Sequence, residues 1–301
     1  MTALSSSVAR TPLVVRTVVE LRAAVAAARS QGKTVGLVPT MGALHAGHAS
    51  LVDASARECG YTVVTLFVNP TQFGPNEDFN KYPRMLDADV AMVGEHGADL
   101  VFAPGVDEVY KPRHATYVEM QGPAEPLEGA FRPGHFRGVA TVVLKLFNMA
   151  GADVAYFGQK DYQQTLVIRT LVRDFDLPIK IVICPTVREP DGLAMSSRNA
   201  YLKPEERQAA LALSRALKKA ESVVAAGERD VWKVRDAMQS VLAAEKTLRP
   251  QYALVADAET LAEPATIEGP CVALVAAFVG TTRLIDNVLL NVQGSEFKVK
   301  S

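Results

Sequence analysis

The N-terminal two thirds of the chain alternate helix-like segments with short apolar runs, and this alternation restricts the fold more than any other feature. Apolar residues recur at helical spacing in five segments, at Val18–Ser30 and at residues 51–58, 87–96, 139–149 and 163–175. One apolar run follows each of these segments, at residues 34–38, 61–68, 99–102, 154–157 and 179–184. Runs that are apolar on both faces are typical of parallel strands covered by helices. We therefore predict a Rossmann-like, doubly wound parallel α/β sheet, whose ligands lie beyond the carboxyl ends of its strands.

The pattern changes after about residue 186. Residues 204–226 and 230–244 read as amphipathic helices, and three extended segments then follow without intervening helices, at residues 251–255, at residues 271–278 and at Thr282–Leu290. This order predicts a smaller α+β domain. The expected organisation is a first domain over residues 1–186, a second over 187–293 and a flexible tail over 294–301.

Composition excludes several classes of protein. The chain has 301 residues, 49% of them hydrophobic, and a formal net charge of -1, which gives no reason to expect a nucleic-acid or membrane partner. Its three cysteines show no metal-binding or disulfide spacing, so a reducing cytoplasm is expected. The sequence also lacks an apolar run of membrane-spanning length and a signal-peptide core.

Residues 39–48 (PTMGALHAGH) follow the first of these apolar runs. If a helix begins near Gly47, His45 and His48 lie on the same side of its first turn. A helix N-terminus attracts phosphate, and two imidazoles add hydrogen-bond donors for a developing oxyanion. Gly42 and Gly47 allow a ligand to approach the backbone closely. Taken alone, the segment also fits a strand-to-helix turn with two capping histidines.

Residues 67–73 (FVNPTQF) end the second long apolar run. Asn69 and Gln72 carry neutral amides, which can bind hydroxyl and carboxylate groups without burying a charge. A proline-containing turn capped by Asn69 is the alternative for this segment.

Residues 158–164 (GQKDYQQ) again follow an apolar run. Lys160 is a natural partner for phosphate, Asp161 could hold a ribose or a loop amide, and Gln164 comes one helical turn after Lys160. The alternative is an ordinary charged first turn of a helix.

Residues 194–199 (AMSSRN) place two hydroxyls and a guanidinium in succession at the junction of the two predicted domains. Arginine binds phosphate through two parallel hydrogen bonds, so this segment could form a compact phosphate clamp. The sequence has no GxGxxG after a strand and no GxxxxGK[ST], which disfavours a dinucleotide oxidoreductase and excludes a P-loop protein.

Together these segments resemble the pantoate–β-alanine ligase family. The resemblance rests on PTMGALHAGH, FVNPTQF, YPR, GHFRGVATVVLKL, FGQKDYQQ and residues 188–199, and it extends over nearly the whole chain. It implies a nucleotidyltransferase related to class I aminoacyl-tRNA synthetases, with HAGH in place of their HIGH box and MSSRN as the second phosphate-binding loop. It also implies a homodimer whose C-terminal domain acts as a lid.

The reaction implied by the resemblance has two steps and belongs to coenzyme A biosynthesis. The carboxylate of pantoate attacks the α-phosphorus of ATP, which gives pantoyl adenylate and pyrophosphate. The amine of β-alanine then displaces AMP. Such chemistry depends mostly on alignment and on charge stabilisation, and the segments offer donors and cations without an obvious nucleophile.

The resemblance also assigns the site residues. Six are implied to act in catalysis, namely His45, His48, Lys160, Ser196, Ser197 and Arg198. The implied contacts of ATP are Pro39, Thr40, Met41, Gly42, Ala43, Leu44, His45, Ala46, Gly47, His48, Gly158, Gln159, Lys160, Asp161, Val187, Met195, Ser196, Ser197 and Arg198. The implied contacts of pantoate are Asn69, Gln72, Arg132, His135 and Gln164. Gln72 is also implied to lie near β-alanine.

Magnesium is expected to accompany ATP, because it neutralises phosphate charge in such transfers. Acidic residues after the YPR segment contribute to the metal site in some members of the family. Here only Asp87 and Asp89 are candidates. We therefore expect phosphates and water to hold most of the coordination sphere.

Three other functions are weighed against this one. A related nucleotidyltransferase acting on a phosphate-bearing acceptor would need a basic acceptor site, whereas Gln72 and Gln164 suit a small hydroxy acid. A non-catalytic nucleotide sensor could lose Lys160 or a histidine, yet both are present. Binding of tRNA is disfavoured by the charge balance and by the absence of an appended basic domain.

Overall fold

The structure, a computed structural model, describes residues 11–75 and 77–290, and the chain divides into two compact units. The first holds the described residues up to Gly158 together with Val167–Cys184, and the second holds Gln159–Leu166 and the described residues from Pro185 onward. The sequence prediction placed Gln159–Leu166 in the first domain. The structure groups it with the second unit, because side chains from the C-terminal part of the chain hydrogen-bond to its backbone, and Tyr162 bonds to a carbonyl of that part. The predicted tail at 294–301 lies outside the described residues.

The first unit is built on a six-stranded parallel sheet. Its strands are β1 (Leu13–Val15), β2 (Val35–Thr40), β3 (Tyr61–Leu66), β4 (Leu100–Phe102), β5 (Val154–Gly158) and β6 (Lys180–Cys184). Their order in the sheet is β1-β4-β3-β2-β5-β6, and every pair is parallel. The strand order therefore reverses between β2 and β5, which is where ligands bind in doubly wound sheets. The predicted α/β class is confirmed.

Among the described residues, seven helices belong wholly or partly to this unit: α1 (Val18–Ser30), α2 (Ala46–Glu58), α3 (Leu86–Glu95), α4 (Val106–Val109), α5 (Glu128–Phe131), α6 (His135–Ala150) and α7 (Tyr162–Asp174). The termini of α1 follow from local sequence. Thr17 and Glu20 form a reciprocal capping box, and Gly32 adopts φ +72° just past its end, where a left-handed residue stops a helix. Leu37, Val63 and Leu100 are fully buried, because helices cover both faces of the sheet.

The second unit contains an antiparallel sheet of β7 (Leu248–Asp257), β8 (Cys271–Val279) and β9 (Thr282–Leu290), in that order. Helices α8 (Pro204–Ala225) and α9 (Val231–Ala243) pack on it, and their apolar faces share one core with the strands. The predicted α+β character of this region is confirmed. Within the described part of the chain, we find no helix that is both long and apolar enough to cross a membrane.

Candidate active site

Three of the predicted segments follow central strands of the parallel sheet. Strand β2 ends at Thr40, β3 ends at Leu66 and β5 ends at Gly158. Because the strands are parallel, their carboxyl ends share one edge, beside the reversal of strand order. In the first unit, the sheet therefore gathers residues 39–48, residues 67–73 and Gly158 at one edge.

The loop between β2 and α2 has an unusual backbone held by a distant carboxylate. Gly42 and Ala43 have φ values of +84° and +52°, in the left-handed region that non-glycine residues rarely adopt. Asp89, on α3, accepts hydrogen bonds from the amides of Ala43 and Leu44 at 3.0 and 2.8 Å. Asp89 is 4% exposed, and burial raises the pKa of its carboxyl against these two bonds. Sequence reasoning missed this role, since it considered Asp89 only as a metal ligand.

His45 and His48 cap the N-terminus of α2 reciprocally. The Nδ1 atom of His45 accepts from the Gly47 amide at 3.1 Å, and Nδ1 of His48 accepts from the His45 amide at 3.4 Å. The two ring centroids lie 4.1 Å apart. A neutral imidazole that accepts at Nδ1 carries its proton on Nε2. His45 and His48 therefore cap the helix, as the alternative interpretation of this segment predicted. The capping bonds leave Nε2–H as the hydrogen-bond donor of each ring.

Gln72 is the predicted pantoate residue that the structure brings next to this loop. It ends a short 3-10 helix, Pro70–Gln72, and its Nε2 lies 3.1 Å from the sulfur of Met41. Its Oε1 accepts from Nδ2 of Asn69 at 3.0 Å. The amide orientation is thereby fixed, with the NH2 group on the side of Met41. An amide donor suits a carboxylate or hydroxyl oxygen.

Asn69 supports Gln72 and is itself saturated with hydrogen bonds. Its Oδ1 accepts from the hydroxyls of Tyr110 and Thr71 at 2.7 and 2.9 Å, and its Nδ2 also donates to the carbonyl of Gly138 at 3.2 Å. Asn69 is only 1% exposed. Asn69 therefore holds the Gln72 side chain in place, and direct contact of Asn69 or Gln72 with pantoate stays a prediction.

Arg132 and His135 form a chain of hydrogen bonds that ends on the backbone carbonyl of Gln72. The Arg132 guanidinium binds Glu77 through Nε and Nη2, at 2.7 and 2.6 Å, and its Nη1 lies 3.0 Å from Nε2 of His135. Nδ1 of His135 lies 2.9 Å from the carbonyl of Gln72, to which it donates. Burial, aided by the Arg132 charge, lowers the pKa of His135 to about 4. His135 is therefore neutral near pH 7, and contact of Arg132 and His135 with pantoate stays a prediction.

In the second unit, Lys160 lies in the 3-10 helix Gln159–Asp161, which leads directly into α7. Its ammonium is 3.6 Å from the Asp161 carboxylate, and its side chain is 21% exposed. Gln164 follows one helical turn later on α7, as the spacing predicted. Asn287, on β9, donates to the carbonyls of Gln159 and Lys160, and sequence reasoning missed it.

The predicted phosphate clamp follows a small hairpin in the same unit. The Met195 amide donates to the carbonyl of Val187 at 3.0 Å, which closes the hairpin. Ser196 then caps a short 3-10 helix, Ser197–Tyr201, by accepting from the Arg198 amide at 3.2 Å. The structure therefore places Val187 beside Met195 at the open end of the hairpin, and Ser196 comes next along the chain.

Partly buried side-chain hydrogen bonds hold this hairpin in place. Arg188 forms a bidentate pair with Asp286 of β9, with atoms 2.6 and 3.0 Å apart, and Asp286 is 3% exposed. Asn199 donates to Glu189 at 2.7 Å and to the carbonyl of Ala194 at 3.0 Å. Side-chain hydrogen bonds therefore hold the backbone on both sides of the residues that are predicted to clamp phosphate.

The metal candidates do not form a coordination site among the described residues. Asp89 uses both carboxylate oxygens to accept amide hydrogens, and Asp87 is exposed. No cluster of three or more histidine, cysteine, aspartate or glutamate residues with metal-binding geometry occurs at residues 11–75 and 77–290. Direct ligation by Asp87 and Asp89 stays a prediction that this geometry does not support.

Comparison with known proteins identifies the family. The model of the family described as pantoate-beta-alanine ligase matches residues 13–289. A pantothenate synthetase from Acidobacterium capsulatum is 53% identical over 294 residues, which cover 94% of this chain and 98% of that protein. One from Roseiflexus sp. is 54% identical over 277 residues, covering 92% of this chain and 99% of the relative.

Solved structures agree with these sequence matches. The crystal structure of a pantothenate synthetase from Thermus thermophilus is similar at a TM-score of 0.88 and 47% identity, covering 92% of this chain and 98% of that one. A pantoate-beta-alanine ligase from Francisella tularensis, complexed with beta-gamma ATP and beta-alanine, matches at a TM-score of 0.75 and 32% identity, covering 92% and 97%. The chain therefore belongs to the pantoate–β-alanine ligase family.

Proposed function

We propose that this chain condenses pantoate with β-alanine through a pantoyl adenylate. A carboxylate oxygen of pantoate attacks the α-phosphorus of ATP, and the bond from that phosphorus to the bridging oxygen breaks, which releases pyrophosphate. The amine of β-alanine then attacks the acyl carbon, AMP leaves, and the amine gives up a proton. The observation that carries this proposal is the match of the pantoate-beta-alanine ligase family model to residues 13–289. Because the chain belongs to this family, it is an enzyme of this ligase activity.

Charge stabilisation is the task that we assign to the predicted catalytic residues. The Nε2–H groups of His45 and His48 would donate to phosphate oxygens at the positive end of α2. Lys160 and Arg198 would offset the charge that develops as pyrophosphate leaves, and the serine hydroxyls beside Arg198 would add neutral donors. None of these groups needs to form a covalent bond to the substrate.

We assign the recognition of pantoate to Gln72 and Gln164. The NH2 group of Gln72 is held in one orientation by Asn69, so it can donate to a pantoate oxygen without losing side-chain entropy on binding. Gln164 would supply a second neutral amide. Two neutral amides select a hydroxy acid over a phosphorylated acceptor, since neither offers the positive charge that a phosphate needs.

Magnesium enters this proposal with ATP. The two carboxylate oxygens of Asp89 are engaged by backbone amides, so the ion would be held by phosphate oxygens and water. Its contribution when bound would be to neutralise phosphate charge. We further propose that the enzyme is a homodimer and that its second unit acts as a lid, as the family resemblance implies. The cysteine spacing is our reason for proposing a cytoplasmic location. Sedimentation equilibrium would test the dimer.

Product analysis tests the proposed reaction. The protein is incubated with ATP, Mg²⁺, pantoate and β-alanine, and the expected products are AMP, pyrophosphate and pantothenate in equal amounts. Lys160→Ala and His48→Ala should each lose most of this activity while remaining folded by circular dichroism. Formation of ADP and phosphate would rule out the adenylate route, and near-normal turnover of both variants would refute the assigned site.

A further inference from the structure

Strand β9 carries a buried amide that no motif of the reaction includes. Asn287 is 2% exposed, and its Nδ2 donates to the carbonyls of Gln159 and Lys160 at 3.0 and 2.8 Å. Its Oδ1 accepts from Nε2 of Gln159 at 3.3 Å. Both amide hydrogens of Asn287 are thus used on the short 3-10 helix that contains Lys160.

The two partners differ in how firmly their own backbones are held. Strand β9 pairs with β8 from Cys271 to Val279 without interruption, so Asn287 projects from a continuous antiparallel ladder. The segment Gln159–Asp161 is a single 3-10 turn, a geometry with weaker hydrogen bonds than an α-helix. Asn287 therefore fixes the less regular segment to the more regular one.

From this geometry, we propose that Asn287 is a positioning residue for Lys160. By binding the carbonyls of the two peptide units that flank the Lys160 Cα atom, it sets the direction in which the lysine side chain leaves the backbone. Asp286 holds Arg188 from the adjacent position of β9, so one strand supports both segments that carry phosphate-facing residues in the second unit. The inference rests on the proposed role of Lys160 in pyrophosphate departure.

An isosteric change is the sharpest perturbation of this contact. Asn287→Asp keeps the shape of the side chain but replaces both donor hydrogens with acceptor lone pairs, which repel the two carbonyl oxygens. Asn287→Ala removes the donors without introducing repulsion, and it decides the question if the aspartate variant does not fold. Leu284→Ala is the matched control, because it trims a buried β9 side chain of the second core that carries no hydrogen-bonding group.

Steady-state kinetics then separate positioning from simple destabilisation. A misplaced Lys160 weakens an interaction made mainly in the transition state, so kcat should fall roughly 10- to 100-fold, with KM for ATP changing less than about twofold. Leu284→Ala should lower the midpoint of urea unfolding and keep the wild-type kcat per folded molecule. Loss of kcat in Leu284→Ala equal to that in Asn287→Ala would overturn the proposal.

A double-mutant cycle with Lys160 completes the test. If Asn287 acts through Lys160, then Asn287→Ala has no further effect on kcat in a Lys160→Ala background. Additive losses, or a wild-type kcat in folded Asn287→Ala beside an inactive Lys160→Ala, would overturn the positioning role alone. A fully active Lys160→Ala would instead overturn the proposed role of Lys160, and the positioning role with it.

Discussion

Helix α6 and the 3-10 helix Pro70–Gln72, here called the Gln72 turn, are packed so closely that one added methyl group should impair the enzyme. A Cβ atom at Gly138 would lie 2.5 Å from the carbonyl carbon of Thr71 and 2.7 Å from Cα of Gln72. Carbon atoms in contact are normally about 3.5 Å apart, so Gly138→Ala requires a movement of roughly 1 Å. Both neighbours are backbone atoms, and rotation of a side chain cannot relieve the clash.

The sign of the effect distinguishes this account from helix propensity. Alanine in a helix interior is about 1 kcal/mol more favourable than glycine, so propensity alone predicts a more stable protein. Overpacking against backbone costs about 1–3 kcal/mol, and we expect it to outweigh the gain. At the amide of Gln72, which we propose binds pantoate, a displacement of this size can lower kcat/KM by about 100-fold. We therefore expect Gly138→Ala to be less stable and to lose most of its kcat/KM for pantoate.

The assay combines urea unfolding with initial rates of AMP formation at varied pantoate. Gly269→Ala serves as the control, because a Cβ atom there meets nothing within 4 Å, and its rates should match the wild type. If Gly138→Ala gains stability and keeps its kcat/KM, the close packing of α6 on the Gln72 turn is wrong.

Three further outcomes follow from the other buried contacts. Asp89→Asn loses an acceptor for one of the two loop amides, so kcat/KM for ATP should fall about 10-fold. If Asp89 is not a metal ligand, excess Mg²⁺ should not restore kcat/KM. Tyr110→Phe removes the 2.7 Å bond to Asn69, and KM for pantoate should rise roughly 3- to 10-fold in steady-state assays. His135 has a pKa of about 4 when folded and near 6.5 when unfolded, so the unfolded state alone takes up the proton between these values. The free energy of unfolding should be unaffected by His135 above about pH 6.5 and should fall by up to about 3 kcal/mol toward pH 4, a loss that His135→Asn should reduce in urea titrations.

The sequence is informative wherever the determining interactions are local. Helix α1 was predicted at its observed bounds, because its capping box and its terminal glycine all lie within a few residues. Strand β9 was likewise predicted from end to end. Strand β1 was missed, since it has only three residues and two of them, Leu13 and Val14, are exposed at the sheet edge. An edge strand of this kind has no pattern that separates it from a loop.

The candidate site likewise has parts that local sequence predicts and parts that it does not. Segments such as residues 39–48 could be predicted because they directly follow strands, and a parallel sheet places strand ends together. The residues that hold these segments in place could not be predicted, because they are far from the segments in sequence. Asp89 lies 46 residues from Ala43, and Asn287 lies 127 residues from Lys160. Neither pairing has a local signal, and each becomes evident only when the fold brings the residues together.

Transfer of a carboxylate oxygen tests the central claim most directly. Pantoate labelled with heavy oxygen in its carboxylate is incubated with the enzyme, ATP, Mg²⁺ and β-alanine, and the products are analysed by mass spectrometry. If pantoyl adenylate forms and β-alanine attacks its acyl carbon, one labelled oxygen stays on phosphorus and appears in AMP. AMP without label, or label in inorganic phosphate beside ADP, would contradict the mechanism.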